Sequence, residues 1–375
     1  MKTILLFLWG FTAMAQTYSV GQRSLTWNDP ARNNREIPVE IYYPANTSGS
    51  NVAVAEGVFA SIAFGHGFVM SWEAYENIWE MLVPQGFIVA FPKTETGLAP
   101  SHGTFAQDLS FVLARLQAEA VDPTSPFYQK ISPQNALMGH SMGGGAAVLA
   151  ASGSSVTALA TLAAANTNPS AIAASAYVSI PTLCIAGSND CVTPIGQHQQ
   201  PMFEATASSC KTFVSLTGGN HCQMANSNFF CSLGEATCSP SATINREEQH
   251  QLIASVLVNW LKATLYADCD AASGFEDTLE AGQGLTSQNN CTLCPLQTQE
   301  FTAGAFKVLN PIGNFLTIQT SLSAYSVRLI DASRRHVLTA HGSGNVTLDC
   351  SDVSAGWYVI ELAHGQSVSR LKIVK

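Results

Sequence analysis

Residues 139–143 read Gly-His-Ser-Met-Gly, one serine between two glycines. A serine hydroxyl attacks a carbonyl only when a histidine takes its proton and an acid orients that histidine. The G-x-S-x-G pattern is a weak signal alone, and its setting is a stronger one. The apolar run "NALM" leads in and "GGGAAVLAA" leads out, which reads as strand, sharp turn and small-residue helix. Such a turn forces the serine into strained backbone angles. A side chain at Gly139 or Gly143 would collide with the neighbouring strand or helix, so the missing bulk lets Ser141 stand exposed. Ser141 is the candidate nucleophile.

On a turn of this kind the partners follow in the order acid, then histidine. Asp190 is the only aspartate between Ser141 and His221, and Glu204 the only glutamate. Asp190 follows the apolar run "PTLCIAG", whereas Glu204 falls in a predicted helix. His221 follows "KTFVSL" through the loop "TGGN". His198 is too close to Asp190 to come from a separate loop, and His250 sits inside a helical pattern. The expected triad is Ser141, Asp190 and His221. A tetrahedral intermediate also needs two N–H donors. One is expected from Met142, the residue after the serine. The other is expected from Phe68, in "IAFGHGF", where Gly65 and Gly67 let the backbone approach. His66 precedes the serine and is set aside as a base. His140 is expected on the cleft wall and His102 on the surface.

These residues need elements that hold them. "REIPVEIYYPA", "EGVFASIAFGHGF", "FIVAFP", "NALMG", "VTALATLAA", "IPTLCIAG" and "KTFVSLTG" read as strands. Between them "SWEAYENIWEMLVPQG", "TFAQDLSFVLARLQAEA" and "EEQHQLIASVLVNWLKATL" have helical spacing. In the second of these, Leu109, Val112, Leu113 and Leu116 share a face. Alternating strands and helices predict an α/β fold, a mostly parallel sheet covered on both faces. Near residue 267 the texture turns polar, and 267–304 reads as a cysteine-containing linker. From 305 to 375, short alternating strands such as "FLTIQT" and "GWYVIELA" predict a small all-β, sandwich-like domain.

The chain carries a formal charge of −9, with 46% apolar and 11% charged residues. Scattered Lys and Arg exclude a nucleic-acid footprint. Residues 1–15 have a basic start, a short apolar run and Ala13-Met14-Ala15, a signal-peptide pattern that predicts export. No run is long enough for a transmembrane segment. The catalytic domain is then expected over 16–266. Ten cysteines in an exported chain read as disulfides. Cys291-Thr292-Leu293-Cys294 has no second CxxC or His pair nearby, so no metal is expected. No cofactor is implied.

The motifs "FGHGFVMSWEAY", "LMGHSMGGGAAVLAA", "IPTLCIAGSNDCVTP" and "TGGNHC" resemble those of the bacterial cutinase and polyester hydrolase group of the α/β-hydrolase superfamily. The resemblance covers about residues 17–266. It implies an α/β-hydrolase fold, a serine ester hydrolase activity, and a cleft in which Phe68 and Met142 supply the oxyanion N–H groups and line the substrate. The family places a tryptophan where this chain has Ala165, which implies weaker action on aromatic polyesters. The Cys222–Thr243 loop is longer than the family's. "VLNPIGNFLTI" and "GWYVIELAHGQSVSRLKIVK" are similar to the C-terminal sorting domain of type IX secretion. A carbohydrate-binding β-sandwich is the alternative for that tail.

The expected activity is hydrolysis of esters, with polyesters such as poly(ethylene terephthalate) included, by a secreted or cell-surface enzyme. Lipase or general carboxylesterase action is the nearest alternative. A vestigial hydrolase serving as a binding protein is the more distant one. For the cysteines, Asp190 and His221 must touch, so the residues after them are expected within the spacing a disulfide tolerates. That predicts Cys191–Cys222, a local Cys231–Cys238 pair, and Cys269 paired with Cys291 or Cys294. Cys210 bonded to Cys191 or Cys222 is the rival, and Cys184 is expected as a buried free thiol.

Overall fold

The computed structural model describes residues 17–294, 299–303, 306–310, 312–331, 335–365 and 367–375. The predicted signal peptide lies outside the described residues. Two compact units are present, one ending at Leu293 and one beginning at Cys294.

The first unit is built on a ten-stranded sheet. In chain order the strands are β1 Ser19–Asp29, β2 Arg35–Ala45, β3 Gly49–Ser50, β4 Phe59–Gly65, β5 Phe87–Pro92, β6 Ile131–His140, β7 Ala158–Leu162, β8 Thr182–Gly187, β9 Lys211–Leu216 and β10 Leu285–Asn289. Their spatial order is β10-β9-β8-β7-β6-β4-β5-β2-β1-β3. Neighbours from β5 through β9 run parallel, and β2 and β10 flank that block antiparallel. Every residue of β4, β5, β7 and β8 is buried. Such uninterrupted apolar runs are what strands covered on both faces require.

The helices are α1 Glu76–Leu82, α2 His102–Glu119, α3 Met142–Ala151, α4 Ala171–Ser175, α5 Gln199–Ala205, α6 Phe229–Glu235, α7 Arg246–Tyr266 and α8 Cys269–Ala281. On one face of the sheet α1, α7 and α8 bury Ile78, Trp79, Leu257, Trp260 and Phe275 against Ile62, Val89 and Ile185. On the other, α2 and α3 bury Leu109, Val112, Leu116 and Val148 against Ala63, Leu137 and Leu159. Each such side chain contributes about 1.5–3 kcal/mol. This is the α/β-hydrolase arrangement expected from the sequence.

The expected linker at 267–304 is a departure. Residues 269–281 form α8, whose Asp268 side chain caps the N–H groups of Asp270 and Ala271. Ala271, Ala272 and Phe275 are buried, and a helix needs only such a short apolar stripe to dock. Residues 285–289 then add β10 to the edge of the sheet beside β9. Most of the polar stretch is therefore part of the first unit.

The second unit is all β. Strands 299–303, 306–310, 315–319 and 346–349 form one four-stranded sheet, and 325–331, 336–342, 357–364 and 367–374 form the other. Val308, Leu316 and Ile318 of one sheet share a core with Val327, Leu329, Ile360 and Leu362 of the other, which makes a sandwich.

Candidate active site

Ser141 sits between β6 and α3 with φ 56° and ψ −122°, a conformation an L-residue occupies only under constraint. Packing supplies that constraint. A Cβ added to Gly143 would overlap the carbonyl of Gly65, and one on Gly139 would overlap the carbonyl of Gly143. The helix thus lies directly against the end of β4. The Ser141 N–H donates to Leu162 O at 3.0 Å, and Ser141 O accepts from Gly145 and Ala165 N–H at 3.1 and 2.9 Å. The backbone is fixed on both sides while the hydroxyl has no hydrogen-bond partner among the described residues.

Asp190 and His221 stand in the loops after β8 and β9. His221 Nδ1 donates to Asp190 Oδ2 at 2.8 Å, and both side chains are almost wholly buried. The Asp190 carboxylate is saturated. Oδ1 accepts from Val192 and Thr193 N–H at 2.9 and 2.7 Å, and the Thr193 hydroxyl lies 2.8 Å from Oδ2. That hydroxyl also accepts from Gln199 Nε2 at 2.9 Å. The His221 ring lies 4.6 Å from that of His140, the residue before Ser141, which brings His221 beside the serine turn.

Met142 is the first residue of α3, and Phe68 follows Gly67 in the loop after β4. Among the described residues neither N–H donates to a protein acceptor. The Phe68 side chain is 49% exposed, while Met142 is buried. Ala165 is partly exposed, beside the serine through its N–H. His140 departs from the expected cleft wall because it is completely buried. Its Nδ1 is 2.9 Å from Tyr75 Oη, and Tyr75 Oη accepts from Gly67 N–H at 2.7 Å. Burial, reinforced by the nearby His221, holds the His140 imidazole well below the usual pKa, so it stays neutral. It braces the Phe68 loop from behind and offers no surface to a ligand.

The other candidates are occupied elsewhere. His66 is buried between the carbonyls of Gly67 and Thr94, at 2.9 and 2.8 Å. His198 Nδ1 accepts from Asn166 N–H. Glu204 lies exposed on α5, bonded to Gln200. Sequence reasoning missed Tyr75, Thr193, Gln199 and Glu235. Thr193 carried a signal, since Asp followed three residues later by Thr is a local capping pattern. Glu235 carried another as the only charged residue between Cys222 and Asn245.

The disulfides also depart from expectation. Cys191 bonds Cys238 and Cys222 bonds Cys231, each pair 5.6 Å apart at Cα, and Cys210 bonds Cys291. Cys191–Cys222 and Cys231–Cys238 do not form. Asp190 and His221 do touch, but the turn that Asp190 caps leaves Cys191 exposed. Cys222 instead enters the buried 3-10 turn Cys222–Met224. The two residues therefore diverge, and the α6 segment bridges them. Cys269 and Cys294 are also disulfide-bonded, and Cys184 is a buried free thiol as expected.

A mostly parallel α/β sheet with a strained serine at the end of β6 defines an α/β-hydrolase. Residues 37–269 match the family described as PET hydrolase-like, and the chain belongs to that family. Residues 310–375 match the secretion system C-terminal sorting domain. The chain is 29% identical over 201 residues to a bis(hydroxyethyl) terephthalate hydrolase of Streptomyces coelicolor, covering 50% of this chain and 56% of the relative. It is 26% identical over 184 residues to cutinase est1 of Thermobifida alba, covering 48% and 56%. To a cutinase of Thermobifida fusca it is 27% identical, with the same coverage. The chain thus spans little more than half the length of these relatives. No helix among the described residues is long and apolar enough to cross a membrane.

Proposed function

We propose that this protein is a secreted serine ester hydrolase acting on uncharged carboxylic esters, polyesters included. The observation that carries the reading is the strained Ser141 turn beside a buried Asp190–His221 pair bonded at 2.8 Å. In this reading His221 Nε2 takes the proton of Ser141 Oγ as that oxygen attacks the ester carbonyl. Asp190 keeps Nδ1 protonated and stabilises the imidazolium. The N–H groups of Met142 and Phe68 hold the oxyanion, each worth about 3 kcal/mol of barrier. The imidazolium then protonates the leaving alkoxide, and water admitted to the acyl-enzyme is activated by the same Nε2. The terephthalate ester and cutin hydrolases among the relatives support this substrate class. Ala165, partly exposed beside the serine turn, supplies no aromatic platform there, which supports weaker action on aromatic polyesters.

A panel of short soluble esters, long-chain triglycerides, peptides and polyester films tests the reading. Wild type is expected to hydrolyse short esters, and Ser141→Ala to lose at least about 10³-fold with unchanged folding. Activity retained by that variant removes the nucleophile assignment. The sorting-domain match supports export through type IX secretion. Removing residues 299–375 is expected to leave kcat/KM on soluble esters unchanged and to stop delivery to the cell surface. Normal export with lost adsorption to an insoluble substrate would favour a binding module instead.

A further inference from the structure

The segment from Cys222 to Asn245 carries a single charged residue, Glu235, and that charge is turned inward. Oε1 accepts from the N–H of His221 at 2.7 Å and of Cys222 at 3.0 Å. Oε2 accepts from Asn220 Nδ2 at 2.8 Å. One carboxylate therefore binds three consecutive residues centred on the histidine. The loop is fixed from its other side by Gln249 of α7. Its Oε1 accepts from Asn220 N–H at 3.0 Å and its Nε2 donates to Asn220 O at 2.9 Å.

Helix α6, which carries Glu235, has no buried residue, and its Cys231 packs against the core only partly buried, so core packing alone does not place it. Two disulfides do. Cys231, four residues before Glu235, is tied to Cys222, and Cys238, three residues after it, is tied to Cys191. The strap is anchored to the residue after the acid and to the residue after the base, and it aims its one carboxylate at the base's own backbone.

We propose that Glu235 is a positioning residue for His221, which rests on the reading of His221 as the general base. Asp190 fixes the ring through Nδ1 only, and a ring held at one atom can still swing with its Cα. Bonds to the N–H groups of residues 221 and 222 fix that Cα and so the direction of Nε2. Misplacing a reacting group by about 1 Å can cost on the order of 100-fold. A general base that has swung away slows the chemical step and leaves ester binding alone.

The test uses the full chain with its disulfides intact, a soluble p-nitrophenyl ester, and Glu235→Ala beside Glu235→Gln. The glutamine keeps an oxygen that can accept from both N–H groups. Glu235→Ala is expected to lower kcat about 10- to 100-fold with KM within about twofold. Glu235→Gln is expected to recover kcat to within about fivefold of wild type. Active-site titration with a slow acylating ester corrects for any unfolded fraction. Three results overturn the proposal: Glu235→Ala within twofold of wild type, a loss explained wholly by fewer folded sites, or Glu235→Gln as impaired as Glu235→Ala. None of these touches the nucleophile reading, which stands or falls with Ser141→Ala.

Discussion

Around Ser141 the restraint is steric, and around His221 it is bonded. The serine turn is enclosed by backbone. Gly65, Gly139 and Gly143 bring β4, β6 and α3 together so closely that a Cβ on any of them meets main-chain atoms. The histidine stands in a loop whose following residues include an α6 with no buried residue. It is held by Asp190, by Glu235 and by the Cys222–Cys231 link. Absence of side chains makes the first region rigid, and added polar and covalent bonds make the second rigid. The difference predicts that the first fails by losing its fold and the second by losing its aim.

Asp190→Asn is the strongest test of the bonded side. The amide can offer its N–H₂ to Nδ1 and invert the imidazole tautomer, so kcat/KM should fall about 10³- to 10⁴-fold. The melting temperature should move little, because the capping bonds to Val192 and Thr193 need only an oxygen. If the same loss followed Glu204→Gln instead, the acid would be misassigned. Kinetics on a soluble ester together with a thermal melt separates these outcomes.

Gly143→Ala probes the steric side. The new methyl would overlap the carbonyls of Gly65 and His66, and backbone on both sides leaves no flexible atom to yield. A loss of about 3 kcal/mol is expected, seen as a melting temperature lower by roughly 6 °C or more. A variant that melts with wild type would show that α3 can slide off β4 and that packing does not hold the turn.

The same contrast explains what the sequence disclosed. The strained turn at Ser141 and the contact of Asp190 with His221 could be foreseen because strand ends and chain order are local signals. Apolar runs such as "FIVAFP" and "TLCIAG" became buried strands for the same reason. Disulfide pairing was hidden, since it depends on where Cys191 and Cys222 point after their turns, and one turn faces solvent while the other enters the core. The polar texture of 267–304 concealed α8 because Ala271, Ala272 and Phe275 suffice for docking. His140 looked like a cleft residue because its chain neighbour is the serine. Both faces of this end of β6 are covered, and His140 lies on the face of Ala136 and Met138, turned toward Tyr75.

The smallest expected effect comes from removing the covalent part of the histidine's support. Cys222–Cys231 closes a loop of sequence separation 9, against 47 for Cys191–Cys238. In the chain-entropy account these are worth about 3 and about 4 kcal/mol of unfolding free energy. The double variant Cys222→Ala/Cys231→Ala should therefore be the milder in stability. Its strap is still tethered through Cys238, and Glu235 still reaches the His221 N–H, so kcat should fall only about two- to fivefold. Adding Glu235→Ala to that variant should then restore the full loss of the single Glu235→Ala change, with little beyond it, because both act on the same loop. If the two losses multiply, the disulfide and the carboxylate act on different parts of the site. A double-mutant cycle in kcat, measured with intact Cys191–Cys238 verified by unreduced peptide mapping, decides between them.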